Sequence, residues 1–213
     1  MHIRFEQVVP RYLEEEKVKR SEIWNKTIDI APGEHLHIVA PSGSGKTSLM
    51  HFLYGLRSDY SGRILFDNQD IKAFDAEQVA ANRTRRTSVI FQDLRLFPNH
   101  TVWQNIEVKR VLEPYHEAET IKEMAGHLGI AGKLEKPLHT CSYGEQQRIA
   151  IIRALQQPFE LLLMDEPFSH LDEANRQKAM NLMAGEARKR NATLVLADLK
   201  KIDYFDADRI IHL

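Results

Sequence analysis

The sequence predicts an α/β fold, a mostly parallel sheet built around a loop that holds phosphate. Three observations predict it. Residues 34–40, "EHLHIVA", read as a short buried strand that runs straight into "PSGSGKTS", a loop dense in Gly and Ser. Beyond the loop, Leu49, Phe52, Leu53 and Leu56 recur at i, i+3, i+4 and i+7, which is one face of a helix. A second apolar run, "LLLM" at 161–164, reads as another buried strand and ends in Asp165 and Glu166.

Strand, Gly-rich loop and helix in that order form the context a P-loop requires. Small residues at Ser42, Gly43, Ser44 and Gly45 let backbone N–H groups crowd around phosphate oxygens, and the helix N-terminus adds its partial positive charge. Lys46 can reach the β- and γ-phosphates, Thr47 offers a hydroxyl to Mg²⁺, and Ser48 is placed for the α-phosphate. The usual pattern begins with Gly where this chain has Ala40, which is small enough for the loop to survive. Asp165, at the end of a strand beside such a loop, can hold Mg²⁺ through water. Glu166 next to it can orient or deprotonate an attacking water. Together the two sites point to nucleotide hydrolysis rather than binding alone.

Composition narrows the class from outside. The 213 residues suit one domain, or one domain with a smaller lobe. The formal net charge of -1 makes no case for nucleic acid. The single cysteine, Cys141, excludes a disulfide within the chain and points to a reducing compartment. The first twenty residues lack the apolar region of a secretory signal. No run approaches the roughly 18 apolar residues that span a bilayer, so any membrane role needs another chain to supply the membrane. The charge run "EEEKVKR" at 14–20 reads as a solvated hairpin tip or loop.

Two further stretches carry a family resemblance. "SVIFQDLRLFPNHTVWQNI" at 88–106 and "CSYGEQQRIAIIRAL" at 141–155, followed by "LLLMDEPFSHLD", resemble the ATP-binding subunits of ABC transporters. The resemblance covers nearly the whole chain. It implies that Gln92 touches Mg²⁺ and the attacking water and reports to the membrane partner. It matches Ser142, Gly144 and Glu145 to the signature motif and "SHLD" at 169–172, ending in Asp172, to the D-loop. It sets Tyr12 where an aromatic stacks on adenine, although a plain strand-end tyrosine competes with that role. Cys141 and Tyr143 depart from the signature pattern, and Tyr143 adds bulk where two subunits and ATP should meet unless it points away.

The implied architecture is a single nucleotide-binding domain over 1–213, with a core at 1–91 and 158–213 and a helical subdomain at 92–157. Residues near 1–30 and 60–70 would form a small antiparallel sheet. "TVWQ" at 101–104 and Ser142-x-x-Glu145 are capping boxes opening helices, the second carrying Ile149, Ile152 and Leu155. Gly129 closes another helix. "RIIHL" reads as the last strand, with no room for a regulatory C-terminal domain. The resemblance implies ATP and Mg²⁺ as ligands, a head-to-tail homodimer or paired ATPase subunit, and an integral membrane permease on a separate chain. It places the protein in the cytoplasm, peripheral on the inner face of the cell membrane. "SGRILFDNQDI" and the short length look most like the ATPases of lipoprotein-release, macrolide-export and cell-division systems. An alternative is an ATP-driven dimerising switch on a membrane protein, without cargo.

One family residue is missing. Where the resemblance implies a histidine touching the γ-phosphate, the count from the C-terminus falls on Leu199, within a residue or two, and no histidine lies between Ala192 and Ile211. Lys200 and His170 are the nearest substitutes in the sequence.

Overall fold

The computed structural model describes residues 1–213. In chain order the elements are β1 (Ile3–Pro10), α1 (Glu15–Arg20), β2 (Thr27–Ile30), β3 (His35–Val39), α2 (Lys46–Leu53), β4 (Tyr60–Phe66) and β5 (Gln69–Asp70). There follow α3 (Ala76–Ala81), β6 (Thr87–Ile90), α4 (Val102–Arg110), α5 (Ala118–His127) and α6 (Tyr143–Ala154). The chain closes with β7 (Leu161–Asp165), α7 (Glu173–Arg190), β8 (Thr193–Asp198) and β9 (Arg209–His212). A five-residue π-helix, Asn82–Arg86, sits between α3 and β6.

Two sheets organise these elements. One is antiparallel in the order β2-β1-β4-β5, and the other runs β6-β7-β8-β3-β9 with every pairing parallel. In the central strands β7 and β8 the runs Leu161–Met164 and Leu194–Ala197 are apolar and buried because both faces are covered. On β7, Leu161 and Leu163 enter one core with α2 and the antiparallel sheet, while Leu162 and Met164 enter the other with α6 and α7. β8 alternates the same way, Val195 and Ala197 against Leu194 and Leu196. The period of two along each strand thus makes the sheet a wall between two cores.

The second core also holds the helical lobe. Val102 and Ile106 of α4, Ile121 and Met124 of α5, and Ile149 and Ile152 of α6 pack in one cluster with Leu162 and Met164. The capping boxes form as the sequence predicts: Thr101 with Gln104 opens α4, and Ser142 with Glu145 opens α6. After α5, Gly129 takes φ +69°, and the Ile130 N–H donates back to the Ala125 carbonyl at 2.8 Å, a Schellman-type close.

Two local expectations change. The 14–20 run is not a loop: Glu15–Arg20 form a short helix with no buried residue. Its acidic first turn and basic last turn suit the helix dipole, and Lys19 pairs with Glu15 at i,i+4. The helix after the phosphate loop is shorter than its apolar spacing implies. Leu49, Phe52 and Leu53 are buried, but α2 stops at Leu53, Gly55 turns away at φ +71°, and Leu56 lies outside it on the surface.

A buried charge network fastens α7 to the lobe. The Glu186 carboxylate is 2% exposed and takes Arg190, also nearly buried, together with His116 at 2.7 Å and Lys189 at 2.6 Å. Burial alone would raise its pKa, but the bonds from His116, Lys189 and Arg190 outweigh it and hold the carboxyl far below the usual range. Glu186→Ala strands the Arg190 charge and is expected to cost about 3–5 kcal/mol of stability, measured by denaturant unfolding. Because the folded pKa is depressed, the wild type keeps this contribution above about pH 4.3 and loses it progressively below. The variant's stability should be correspondingly flatter across that acid range.

Candidate functional site

The parallel register levels the ends of three strands. Val39 of β3 pairs with Asp198 of β8, and Asp165 of β7 pairs with Ala197. What leaves β3, β7 and β8 at their C-terminal ends therefore meets in one place, the usual position of a ligand crevice in open α/β sheets. There the Gly-rich loop leaves β3. Gly43 and Gly45 adopt φ +77° and +97°, a region only glycine enters freely. A Cβ on Gly45 would also press on the Trp24 ring, 3.1 Å away. Trp24 is fully buried beneath the loop and donates its indole N–H to the Ser44 carbonyl at 3.0 Å. Sequence reasoning missed this residue, because nothing in "SEIWNK" signals a contact twenty positions away.

A cleft of about 250 Å³ opens above the loop. It gathers Tyr12, Ser42, Gly43, Gly45, Lys46, Thr47, Ser48, Gln92 and Glu166, together with Pro41 and Leu199. Ser44 lies beneath, buried, with its hydroxyl on the Pro41 carbonyl at 2.8 Å. The Lys46 ammonium forms an ion pair with Glu166, both largely buried. Glu166 holds its backbone at φ +48°, strained for a residue with a side chain. Its N–H donates to the Ala197 carbonyl at 2.9 Å, and its own carbonyl accepts from the buried Gln147 amide at 3.2 Å.

Asp165 is almost fully buried, and its Oδ1 has no hydrogen-bond partner. Burial pushes its pKa up, opposed by a hydrogen bond from Thr47 and by the Lys46 charge. A second opening of about 250 Å³ is lined by Thr47, Gln92 and Asp165 together. A hydroxyl, an amide oxygen and a carboxylate with an unused lone pair are hard oxygen donors, so these three residues fit Mg²⁺.

Tyr12 stands half-exposed at the mouth of the cleft. Its hydroxyl bonds to Ser48 Oγ, and the Arg57 guanidinium lies 5.0 Å from its ring centre. Ser48 Oγ also accepts from Arg57 at 3.1 Å, so Arg57 is a further residue of this rim that the sequence did not reveal.

The structure does not bring the signature residues into this cleft. Ser142 and Glu145 exchange hydrogen bonds at the N-terminus of α6, at 3.3 and 2.8 Å, and Asp172 caps α7 by accepting the Asn175 N–H at 2.8 Å. Gly144 is packed under the D-loop, where a Cβ would meet the His170 carbonyl at 2.9 Å. Tyr143 rests its ring edge on His170, 4.2 Å between centres, and its hydroxyl reaches the Gln92 carbonyl at 3.4 Å. At the place of the missing histidine, Leu199 faces the cleft, about half exposed. Lys200 lines a neighbouring opening instead, and His170 is held against Tyr143, so neither substitute lines the phosphate cleft.

Residues 24–169 match the ABC transporter family model. The chain belongs to the ABC transporter family. Among its relatives is the molybdate/tungstate import ATP-binding protein WtpC of Pyrococcus horikoshii, 42% identical over 74% of this chain and 45% of WtpC. The macrolide export ATP-binding/permease protein MacB of Brucella abortus is 32% identical over 88% of this chain and 29% of MacB. The lipoprotein-releasing system ATP-binding protein LolD of Oleidesulfovibrio alaskensis is 36% identical over 79% of this chain and 74% of LolD. The chain thus spans less than half the length of the first two relatives and most of the third. The fold is that of a bacterial ABC transporter cassette solved as a dimer, with TM-score 0.83 and 24% identity over 99% of this chain and 94% of that one. A post-hydrolysis state of the same cassette, bound to ADP and Pi, matches with TM-score 0.80 and 25% identity over 99% of this chain and 94% of that one. No helix of this ABC protein is long and apolar enough to cross a membrane.

The loop geometry sets a test of the phosphate site. Gly45→Ala forces a side chain into the left-handed region and against Trp24, a strain of about 1–3 kcal/mol. ATP affinity, read by titration calorimetry, is expected to fall about tenfold or more. An affinity equal to wild type would mean that the loop does not cradle the nucleotide.

Proposed function

We propose that this ABC protein binds and hydrolyses ATP as the subunit that powers a separate membrane permease. The observation that carries the reading is the meeting of Lys46, Glu166 and Asp165, whose Oδ1 has no partner, at the level ends of β3 and β7. The loop from Ser42 to Gly45 holds the phosphate chain through backbone N–H groups, and Tyr12 supports the base at the mouth. Lys46 binds the terminal phosphates. In doing so it lets go of Glu166, which then turns to the attacking water and orients or deprotonates it. Thr47, Gln92 and Asp165 would hold Mg²⁺, which would supply charge neutralisation at the phosphate oxygens. The names of the relatives support coupling to transport, in import, export and lipoprotein release alike.

Ser142, Gly144, Glu145 and Asp172 lie away from their own cleft and serve the nucleotide of a second copy in a head-to-tail dimer. In this division residues 1–91 and 158–213 form the nucleotide-binding core, and 92–157 the helical subdomain that contacts the permease. The protein works at the cytoplasmic face of the membrane through that permease. Leu199 in the phosphate cleft supports a second reading, a slowly hydrolysing ATP-driven switch on a membrane protein.

Lys46→Ala is expected to abolish ATP binding, measured by equilibrium dialysis. Glu166→Gln removes both the base and the ion pair that competes with phosphate for Lys46. Its turnover should vanish while ATP binds at least as tightly as to wild type, and the closed dimer should accumulate in light scattering with ATP. A monomer at every concentration with ATP would count against the head-to-tail assembly.

Leu199 gives a separate forecast. A preorganised donor to transition-state charge is worth about 10²–10³ in turnover, and leucine supplies none. Leu199→His is expected to raise kcat by up to about 10²-fold with little change in KM. If the wild type already matches the variant, another group performs that task.

A further inference from the structure

One stretch of chain, residues 12–24, meets the phosphate loop and the start of α2 at three points. The Tyr12 hydroxyl bonds to Ser48 Oγ, and the Trp24 indole N–H donates to the Ser44 carbonyl at 3.0 Å. Between these two contacts stands α1, the helix formed by the charge run. Its Lys17 ammonium lies 3.8 Å from the position a Cβ would take on Gly43. Gly43 lines the cleft, so a second ammonium, besides that of Lys46, stands against the loop.

The packing of α1 sets Lys17 there. Leu13 before the helix and Val18 within it pack against the core that contains Trp24. At the other end Ser21 is buried, and its hydroxyl accepts the Ile23 and Trp24 N–H groups at 3.0 and 2.8 Å. Lys17 is 43% exposed beside the loop, whereas Lys19, two residues on, is 76% exposed and pairs with Glu15 at 3.9 Å. The carboxylate paired with Lys17 is the solvent-exposed Glu14, at 3.4 Å. A pair so open to water is worth little and yields to a multiply charged anion. Lys46 is arranged in the same way, its ammonium on Glu166. Both ammonium groups at the loop thus rest on carboxylates that a phosphate chain would displace.

We propose that Lys17 binds the phosphate chain of the nucleotide, reaching over Gly43 as a second ammonium beside Lys46. The inference rests on the reading of the cleft as an ATP site and adds a ligand from outside the loop. Lysine suits the task, because its charge is compact and rides on a flexible four-carbon stem. A turn about those bonds carries the ammonium from Glu14 to a phosphate oxygen while α1 stays on its apolar contacts. The loop offers only the partial charges of its N–H groups and of the helix end. Lys17 adds a whole one. Gly43 belongs to the loop and not to the surroundings of Glu166, so the contact serves ADP as well as ATP.

Acetylation of lysine amines on the whole chain, read by mass spectrometry, tests the contact directly. Saturating ADP is expected to protect Lys17 and to leave Lys19, on the same helix, as reactive as without nucleotide. In Lys17→Met the affinity for ADP and for ATP, read by titration calorimetry, should fall about tenfold, and Lys17→Arg should restore most of it. Without nucleotide, all three forms should melt together. If Lys17→Met binds ADP as wild type does and ADP leaves Lys17 unprotected, the ATP reading stands and the Lys17 inference is wrong. If wild type binds neither nucleotide, both fall. An unchanged ADP affinity with loss of the ATP-dependent dimer in light scattering would assign Lys17 to a second copy of the chain and overturn the proposal. So would a melting point that drops in Lys17→Met without nucleotide, which would make the lysine a support of the fold.

Discussion

Lys46 and Glu166 reach one another because three parallel strands end at one level, and nearly everything else in the molecule keeps them level. The ion pair lies at the edge of a wall whose strands are locked in register by apolar side chains on both faces. Slip of β7 against β8 by one residue would exchange Leu162 and Met164 for Leu161 and Leu163 and bury the wrong side chains on both faces at once. The register is therefore held by two cores. The charges it brings together need no support of their own beyond the backbone bonds that fix Glu166 in its left-handed conformation.

The phosphate loop, Asp165 and Glu166 were legible in the sequence because their chemistry is local: the spacing of Gly, Ser, Lys and Thr is itself the geometry of the loop. The capping boxes at Thr101 and Ser142 were legible for the same reason, with partners three positions apart. The supports of the site were not. Trp24 under the loop, Arg57 against Tyr12 and Gln147 behind Glu166 act across gaps that only the folded chain closes. Helix boundaries were misjudged where the apolar period outlasted the helix, at Leu56, or where a helix had no apolar face, at Glu15–Arg20. Leu199, where the count from the C-terminus falls, lines the cleft.

One departure from the family pattern, Tyr143, is accommodated by packing between the signature helix and the D-loop. Tyr143, bulky where glycine is usual, finds room by lying on His170, and Gln147 binds the His170 N–H at 3.0 Å and the Ser169 hydroxyl at 3.3 Å. The N-terminal turn of α6 and the D-loop are thus joined through side chains as well as backbone. Through Gln147 the same joint grips the Glu166 carbonyl. The signature helix is thus bonded to the backbone of the residue proposed to act on water, within one subunit and without passing through the sheet.

The sheet as a shared wall has a last consequence, for how the molecule comes apart. Each of the two cores could open while the other stays closed, in the manner of separate cooperative units. The chain has two tryptophans, and they fall on opposite sides of the wall: Trp24 belongs to the core beneath the phosphate loop, and Trp103 packs against the core of the helical lobe. Emission from each, isolated by replacing the other with phenylalanine, gives one thermometer per half. Coincident melting curves mean that the wall melts as one piece, and separated curves mean that the lobe can loosen while the nucleotide loop stays folded.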